Sequence, residues 1–317
     1  MIRKDKKFVP VMLMPFQEDG SIDYNALEKL VDFYLEAGAG GLFANCLSSE
    51  MYQLSPEERI ASVSFIVKHV NGRVPIVATG TFEDTIENQA QFVKAMYATG
   101  VDAVIVITGL LAKEDDSEEA FRANVEELLA LTDNVPLGFY ECPVPYKRVI
   151  SADFLGQLVK TGRIKYHKDT SLDINGIRAK IAATRDEESF GLYDAYMAHA
   201  VETLKAGSAG LSCIQGNYFP EMVVWLCANF DNTDKQEEVG LVQQFLIDNM
   251  DVMHDTYPVS AKYVLQKLGH SIQLYSRCQD IQVLDAGTKS ELDVLIEDYK
   301  DLDKQIHTSY VNTAFNR

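Results

Sequence analysis

Apolar runs recur along the chain, and each is followed by a segment with helical spacing. The runs are FVPVMLM, GGLFANC, VPIVATG, DAVIVIT, VPLGFYE, RIKYHKD, SFGLY and AGLSCIQ. Each is short, rich in β-branched and aromatic residues and bounded by turn residues, which predicts a buried strand. Eight such runs at intervals of roughly 20 to 35 residues match the cadence of a (β/α)8 TIM barrel. An open doubly wound sheet would suit the first few units equally well. Against it, no GxGxxG follows the first strand, and the eighth unit arrives without a break.

The segments between the runs carry helix signals. Ser55-Pro56-Glu57-Glu58 combines a capping box with proline at the first helical position, predicting a helix to about Val70. Asp84 and Glu87 open NQAQFVKAMYATG, which Gly100 stops, and Ser151 opens ADFLGQLVKTG. After about Phe230 the strands cease. Residues 234–253, 259–268 and 289–308 read as helices, so the chain divides into a barrel over 1–230 and an appended helical extension over 231–317. No Gly-, Pro- or Ser-rich linker separates the two, so the extension is expected to pack on the barrel.

Composition narrows the function. The 317 residues are 47% hydrophobic, enough for one barrel-sized core. The formal charge, 29 − 47 = −18, repels a phosphate backbone and makes nucleic acid a poor partner. Five cysteines, Cys46, Cys142, Cys213, Cys227 and Cys278, show no CxxC or metal-ligand spacing, and are read as reduced thiols in a cytoplasmic protein without a metal. The basic head and apolar run at the start superficially resemble a signal peptide. Pro10 and Pro15 interrupt that run, and a first barrel strand is the expectation. No stretch approaches the ~20 apolar residues of a membrane span.

In a parallel barrel, chemistry gathers at the carboxyl ends of the strands. Tyr140 ends the fifth run and Lys168 the sixth, and a βαβ crossover brings neighbouring strand ends together. Alternation puts Tyr166 and Lys168 on one face of the strand and Lys165 and His167 on the other. A lysine facing inward is desolvated, which favours the free amine and its attack on a carbonyl. After the second run, Cys46-Leu47-Ser48-Ser49-Glu50 offers two hydroxyls and free backbone N–H groups to a carboxylate. A strand-to-helix turn that uses serines as local caps accounts for the same residues. Tyr193-Asp194 and Gln215-Gly216-Asn217 follow the seventh and eighth runs and line the substrate side in this reading. His69 and His199 fall on or near helices and read as capping or solvent-facing.

Several motifs in one order carry a family resemblance. They are VMLMPFQEDGSIDYNALEKLVDFYLEAGAGGLF, Ser48-Ser49-Glu50 before LSPEER, NGRVPIVATG, FYECPVP, HKDTS, AGLSCIQGNYFPE and Tyr257-Pro258-Val259-Ser260-Ala261-Lys262. The chain resembles the dihydrodipicolinate synthase and N-acetylneuraminate lyase family of pyruvate-type class I aldolases over most of its length. The resemblance implies a barrel with C-terminal helices, assembled as a tetramer or dimer, with no metal or organic cofactor. It implies that Lys168 forms a Schiff base with a 2-oxo acid and that Tyr140 relays protons. It also implies that Ser48, with Ser49 beside it, and the backbone around Ser212 bind the oxo-acid carboxylate.

This sequence departs from the family pattern at informative places. Leu47 stands where the usual GTTGE turn has its first threonine, and Gly109-Leu110-Leu111 replaces a tyrosine pair after strand four. Pro145 replaces the arginine that binds a second carboxylate in the synthases, leaving Lys147 and Arg148 as the nearby cations. Ala195 stands where the sialic acid lyases carry a glutamate, after the similar Tyr193-Asp194 turn. The expectation is therefore a Schiff-base lyase acting on another 2-oxo sugar acid or hydroxy-oxo acid. Four alternatives stay open: a dehydratase of a 2-oxo sugar acid, dihydrodipicolinate synthase proper, a non-catalytic small-molecule-binding barrel, and a phosphate-dependent barrel aldolase.

Overall fold

The computed structural model describes residues 5–314, with side chains described through 306. Eight strands form one parallel sheet in the order β1-β8-β7-β6-β5-β4-β3-β2. They are β1 (Lys7–Phe8), β2 (Leu42–Asn45), β3 (Ile76–Thr79), β4 (Ala103–Ile107), β5 (Leu137–Tyr140), β6 (Ile164–Asp169), β7 (Gly191–Asp194) and β8 (Gly210–Leu211). The ring closes just past β1, where Val11 bridges Phe43 in parallel and the Phe43 N–H donates to the Pro10 carbonyl at 2.9 Å. All eight predicted strands are therefore present in a closed (β/α)8 barrel.

Helices α1 (Tyr24–Glu36), α2 (Pro56–Val70), α3 (Ile86–Tyr97), α4 (Glu118–Leu131), α5 (Ala152–Val159), α6 (Ile174–Thr184), α7 (Ala200–Ala206) and α8 (Pro220–Asn229) alternate with the strands. The capping box at Ser55 and Glu58 forms as expected, and Ser151 accepts from the Phe154 N–H to open α5. Thr85, not Asp84, caps α3, because its hydroxyl sits three residues before the Asn88 N–H that it accepts from. In the tail, the helix expected over 234–253 is two, α9 (Gln236–Asp248) and α10 (Met250–His254), broken at Asn249, whose side chain bonds back to the Phe245 carbonyl. Then follow α11 (Val259–Lys267) and α12 (Ala286–Ala314). None of the described helices is long and apolar enough to cross a membrane.

Two apolar layers result from the alternation along the strands. The larger lies between barrel and helices; the smaller fills the barrel with Val11, Phe43, Val77, Ile105, Ile107, Tyr140 and Tyr166 among others. Two glycines make the interior possible. A Cβ on Gly138 would come within 2.6 Å of Ile105 Cδ1 and 2.7 Å of the Tyr166 carbonyl oxygen, so only glycine lets β5 lie this close to its neighbours. Gly210, at φ +155, brings β8 so close to β1 that a Cβ would lie 1.7 Å from the Lys7 carbonyl oxygen.

Candidate active site

Register decides which residues meet. Tyr140 of β5 pairs directly with Lys168 of β6, and Lys168 pairs in turn with Tyr193 of β7. Lys165 falls at an irregularity in the β5–β6 pairing, so that Leu137 faces Ile164 while Gly138 faces Tyr166. The extra residue changes the alternation: Ile164 packs toward the helices, and Tyr166 and then Lys168 turn inward.

Lys168 is 4% exposed, and its ammonium nitrogen lies 4.5 Å from the centre of the Tyr140 ring. Among the described residues no carboxylate pairs with it. Burial holds the Lys168 amine below its ordinary pKa, against the opposing pull of the thiols of Cys46, Cys142 and Cys213. Burial likewise lifts the Tyr140 phenol well above its usual value, and Cys142, two residues on and on the same face, adds to the rise. The pair is therefore an amine whose protonated form burial disfavours, beside a phenol that keeps its proton at neutral pH.

The remaining predicted contacts divide. Ser48 is buried, and its hydroxyl lies beside Tyr257, where it partly counters the strong upward push of burial on that phenol's pKa. Ser49 is not available to a ligand in the same way: its Oγ donates toward the Met12 and Ala44 carbonyls, at 2.7 and 3.2 Å, and accepts from the Cys46 N–H. It pins the turn; the cap reading describes it better than the carboxylate-seat reading. Ser212 Oγ accepts from the Tyr166 phenol and donates to the Val9 carbonyl, each at 2.8 Å, and the Ser212 N–H donates to the Asp194 carbonyl at 2.8 Å, so both its hydroxyl and its N–H are engaged within the barrel. Tyr193 stacks on Tyr166 inside the barrel, at 4.7 Å and 21°.

Asp194 does not share the pocket. It faces away from the barrel axis, accepting from the Tyr196 N–H at 2.9 Å and pairing with His199 Nδ1 at 2.9 Å. Strand alternation, which turns Tyr193 inward, necessarily turns the next residue out. His199 stands at the N-cap position of α7, but its side chain makes no capping bond and is turned to Asp194 instead. Lys147 donates to the Thr170 carbonyl, and Arg148 to the carbonyls of Lys113 and Asp116 and to the Tyr146 hydroxyl, so neither replaces the arginine missing at Pro145.

Sequence reasoning missed two groups of residues. Tyr257, from the extension, accepts from Asn217 Nδ2 at 2.6 Å while the Asn217 amide oxygen accepts from Tyr34, so a hydrogen-bonded line reaches the Ser48 turn from outside the barrel. Glu50 anchors the same turn from below: Lys262, the Ser276 hydroxyl and the N–H groups of Arg277 and Cys278 all donate to its carboxylate. The proline and lysine of Tyr257-Pro258-Val259-Ser260-Ala261-Lys262 were the available signal. The second group is a buried quartet on the outer face of β5 and β6. Lys180 of α6 donates to Glu141 Oε1 at 2.5 Å and Asp169 Oδ2 at 2.6 Å, with His167 Nε2 3.4 and 3.7 Å from the same two atoms. Glu141, His167 and Asp169 lie close enough to cradle a metal ion, but the Lys180 ammonium already stands among them.

The comparisons with known proteins now bear on these features. The family model described as the dihydrodipicolinate synthetase family matches residues 4–297. The chain belongs to that family. Among its relatives, the 4-hydroxy-tetrahydrodipicolinate synthases of Bacillus velezensis and Pseudomonas aeruginosa are 26% and 25% identical over 260 residues, covering 81% of this chain and 87% and 86% of theirs. YagE, an E. coli K12 prophage protein of the dihydrodipicolinic acid synthase family solved with pyruvate, superposes with a TM-score of 0.81 at 22% identity, covering 93% of this chain and 98% of its own. A monomeric dihydrodipicolinate synthase variant superposes with a TM-score of 0.83 at 19% identity, over 94% and 98%. At that identity the superpositions speak for the fold. Family membership carries the general chemistry, that of a Schiff-base lyase of the class I aldolase type.

Proposed function

We propose that the protein condenses a 2-oxo acid such as pyruvate onto Lys168 and then makes or breaks the bond between C3 and C4. The observation that carries this reading is the unpaired, buried amine of Lys168 facing the Tyr140 phenol across in-register strands. The carboxylate settles against Ser48, which Tyr257 orients, and against the backbone around Ser212, with Tyr193 as a side wall; this fixes the carbonyl near the amine. Attack and loss of water give an iminium, an electron sink that lowers the barrier at C3–C4. Tyr140 gives a proton to the C4 oxygen on addition and takes it on cleavage. In cleavage the iminium charge, sitting where the Lys168 ammonium is, offsets the phenol's reluctance to ionise.

The test is borohydride reduction with pyruvate. A mass adduct on the intact chain that is lost in Lys168→Ala supports the assignment; an adduct that survives the substitution places the nucleophile elsewhere, and no adduct at all favours a non-catalytic binding barrel. A dehydratase shares every step to the enamine, so following pyruvate release against water loss separates the two. The arginine absent at Pro145 argues against dihydrodipicolinate synthesis proper. We read the chain further as a cytoplasmic homo-oligomer, a tetramer or dimer, of barrel domains (1–230) carrying helical extensions (231–317). The reach of Tyr257 and Lys262 into the Ser48–Glu50 turn supports treating barrel and extension as one working unit. Gel filtration decides the assembly, and the monomeric variant with the same fold shows why it needs measuring.

A further inference from the structure

The loops at the carboxyl end of the barrel lie over Lys168 and Tyr140, and most of the strands contribute an apolar side chain there. Leu47 follows β2, Phe82 follows β3, Leu110 follows β4 and Ile214 follows β8; all four are half-buried and pack against the interior cluster that contains Tyr140 and Cys142. On the loops after β5 and β6, Val144 is 42% and Leu172 54% exposed. Tyr52 joins them edge-on to Phe82, at 6.0 Å, and its hydroxyl is spent on the Val144 carbonyl at 2.9 Å.

Several of the charges that follow the same strands are withdrawn. Glu141 and Asp169 turn out to Lys180, Asp194 turns out to His199, and Glu50 is enclosed by Lys262 and the backbone at Arg277 and Cys278. Arg59 donates to the Met51 carbonyl and lays its guanidinium on the outer side of Phe82, 3.8 Å from the ring centre. Arg148 and Lys147 are bound to loop carbonyls. Below Lys168 the barrel is filled by Val77, Ile105 and Phe43, so a substituent on C4 of the bound oxo acid has only the open end to occupy.

We propose that this mouth is a subsite for an apolar fragment: the aldehyde added to, or released from, the oxo acid carries an aliphatic or aromatic group, not a carboxylate or a sugar polyol. The inference rests on the Schiff-base reading above and names its second substrate class. A charged or hydroxyl-rich chain entering the mouth would lose water against a mainly apolar wall, whereas an alkyl or aryl chain gains by leaving water. The reaction balances without any further reactant. Pyruvate and the Lys168 amine give an imine and one water; C3 loses a proton to form the enamine and attacks the aldehyde carbon. The aldehyde oxygen takes a proton from Tyr140, which recovers one from the C3 deprotonation, and water returns the amine with release of a 4-hydroxy-2-oxo acid.

The experiment uses the intact protein with pyruvate and four aldehydes, hexanal, benzaldehyde, glyceraldehyde and succinic semialdehyde, reading the condensation product by mass. The result expected is a kcat/KM for hexanal and benzaldehyde at least about tenfold above both polar aldehydes. Along a series from propanal to hexanal it should rise about fourfold per methylene until the mouth is filled. Leu110→Arg should lower the value for hexanal and raise that for succinic semialdehyde. Borohydride trapping of pyruvate is run alongside. An adduct together with a preference for glyceraldehyde or succinic semialdehyde, or with no condensation of the apolar aldehydes, overturns the apolar subsite and leaves the Schiff base standing. Failure to trap pyruvate removes both.

Discussion

The two faces of strand β6 present the same kinds of group in opposite condition. Inward, Lys168 is buried without a counter-ion, over a phenol and among thiols. Outward, one residue to either side, His167 and Asp169 are buried in an ion-paired network with Glu141 and Lys180. Burial works against both lysines. It wins at Lys168, which is held below its ordinary pKa, and loses at Lys180, which Glu141 and Asp169 raise above it. Burial also pushes Asp169 up, yet the bonds and charge of His167 and Lys180 hold its carboxyl well below the usual range; at His167 burial is the largest single influence, but Glu141 and Asp169 together outweigh it and raise the imidazole above its ordinary value. A lysine's surroundings, not its depth, thus decide whether it is a nucleophile or a strut.

The most drastic way to break the contrast is to remove the inward nitrogen. Lys168→Ala should abolish the borohydride adduct and lower turnover by ~10⁴-fold or more, since no other described amine occupies the site. In the unaltered protein, the rate of adduct formation should climb with pH and level off at a midpoint below 10.5, because desolvation favours the neutral amine; a midpoint at or above that value would show that the pocket does not desolvate it. Tyr140→Phe should leave trapping intact but cut turnover by about 10²- to 10⁴-fold, the usual worth of a positioned acid–base group.

Breaking the outward network should act on stability first. Lys180→Met leaves Glu141 and Asp169 buried with only His167 between them, and breaking a buried pair in this way costs about 3–5 kcal/mol, read by urea unfolding. It should also sharpen the comparison between the faces. Two unbalanced carboxylates one residue from Lys168 and Tyr140 favour an ammonium, so the midpoint for adduct formation should move up. The groups that otherwise face Lys168 are Tyr140, Tyr166, Tyr193 and the thiols of Cys46, Cys142 and Cys213, all unchanged by the substitution. Lys180→Arg should restore part of the stability and return the midpoint downward. An unmoved midpoint in Lys180→Met would mean that the two faces are electrically independent.

How much of this was legible in sequence follows from the range of the interactions. The strands, the capping boxes and the pairing of Tyr140 with Lys168 depend on local periodicity and on the length of one crossover, which the sequence carries openly. The split of the helix at Asn249 is a matter of one side chain competing for the Phe245 carbonyl and has no periodic signature. Asp194 was assigned inward with Tyr193, although adjacent residues of one strand point to opposite sides, so alternation alone could have separated them. Ser49 differs: two serines in a turn are equivalent until the closing bridge from Val11 to Phe43 brings the Met12 carbonyl onto one of them. Lys180 was invisible because it meets Glu141 across 39 residues and from another element.

The smallest effect expected concerns the seat of the substrate carboxylate, where barrel and extension meet. Ser48 is the hydroxyl of the pair left free to turn toward a ligand, and Tyr257 is the group that orients it. Tyr257→Phe keeps the ring, and with it the packing against Tyr218 at 6.4 Å, but removes the bond accepted from Asn217 and the contact with Ser48. Losing one such hydrogen bond in a buried site is worth about 1 kcal/mol, or roughly a fivefold rise in KM for pyruvate. Turnover should hardly change, since Lys168 and Tyr140 keep their geometry. Ser48→Ala should raise KM to a similar degree, and the double substitution should cost little more than either alone, because both remove one contact. Additive effects would instead mean that Tyr257 and Ser48 act on the substrate separately, and that the extension reaches the site by a route other than the Ser48 hydroxyl.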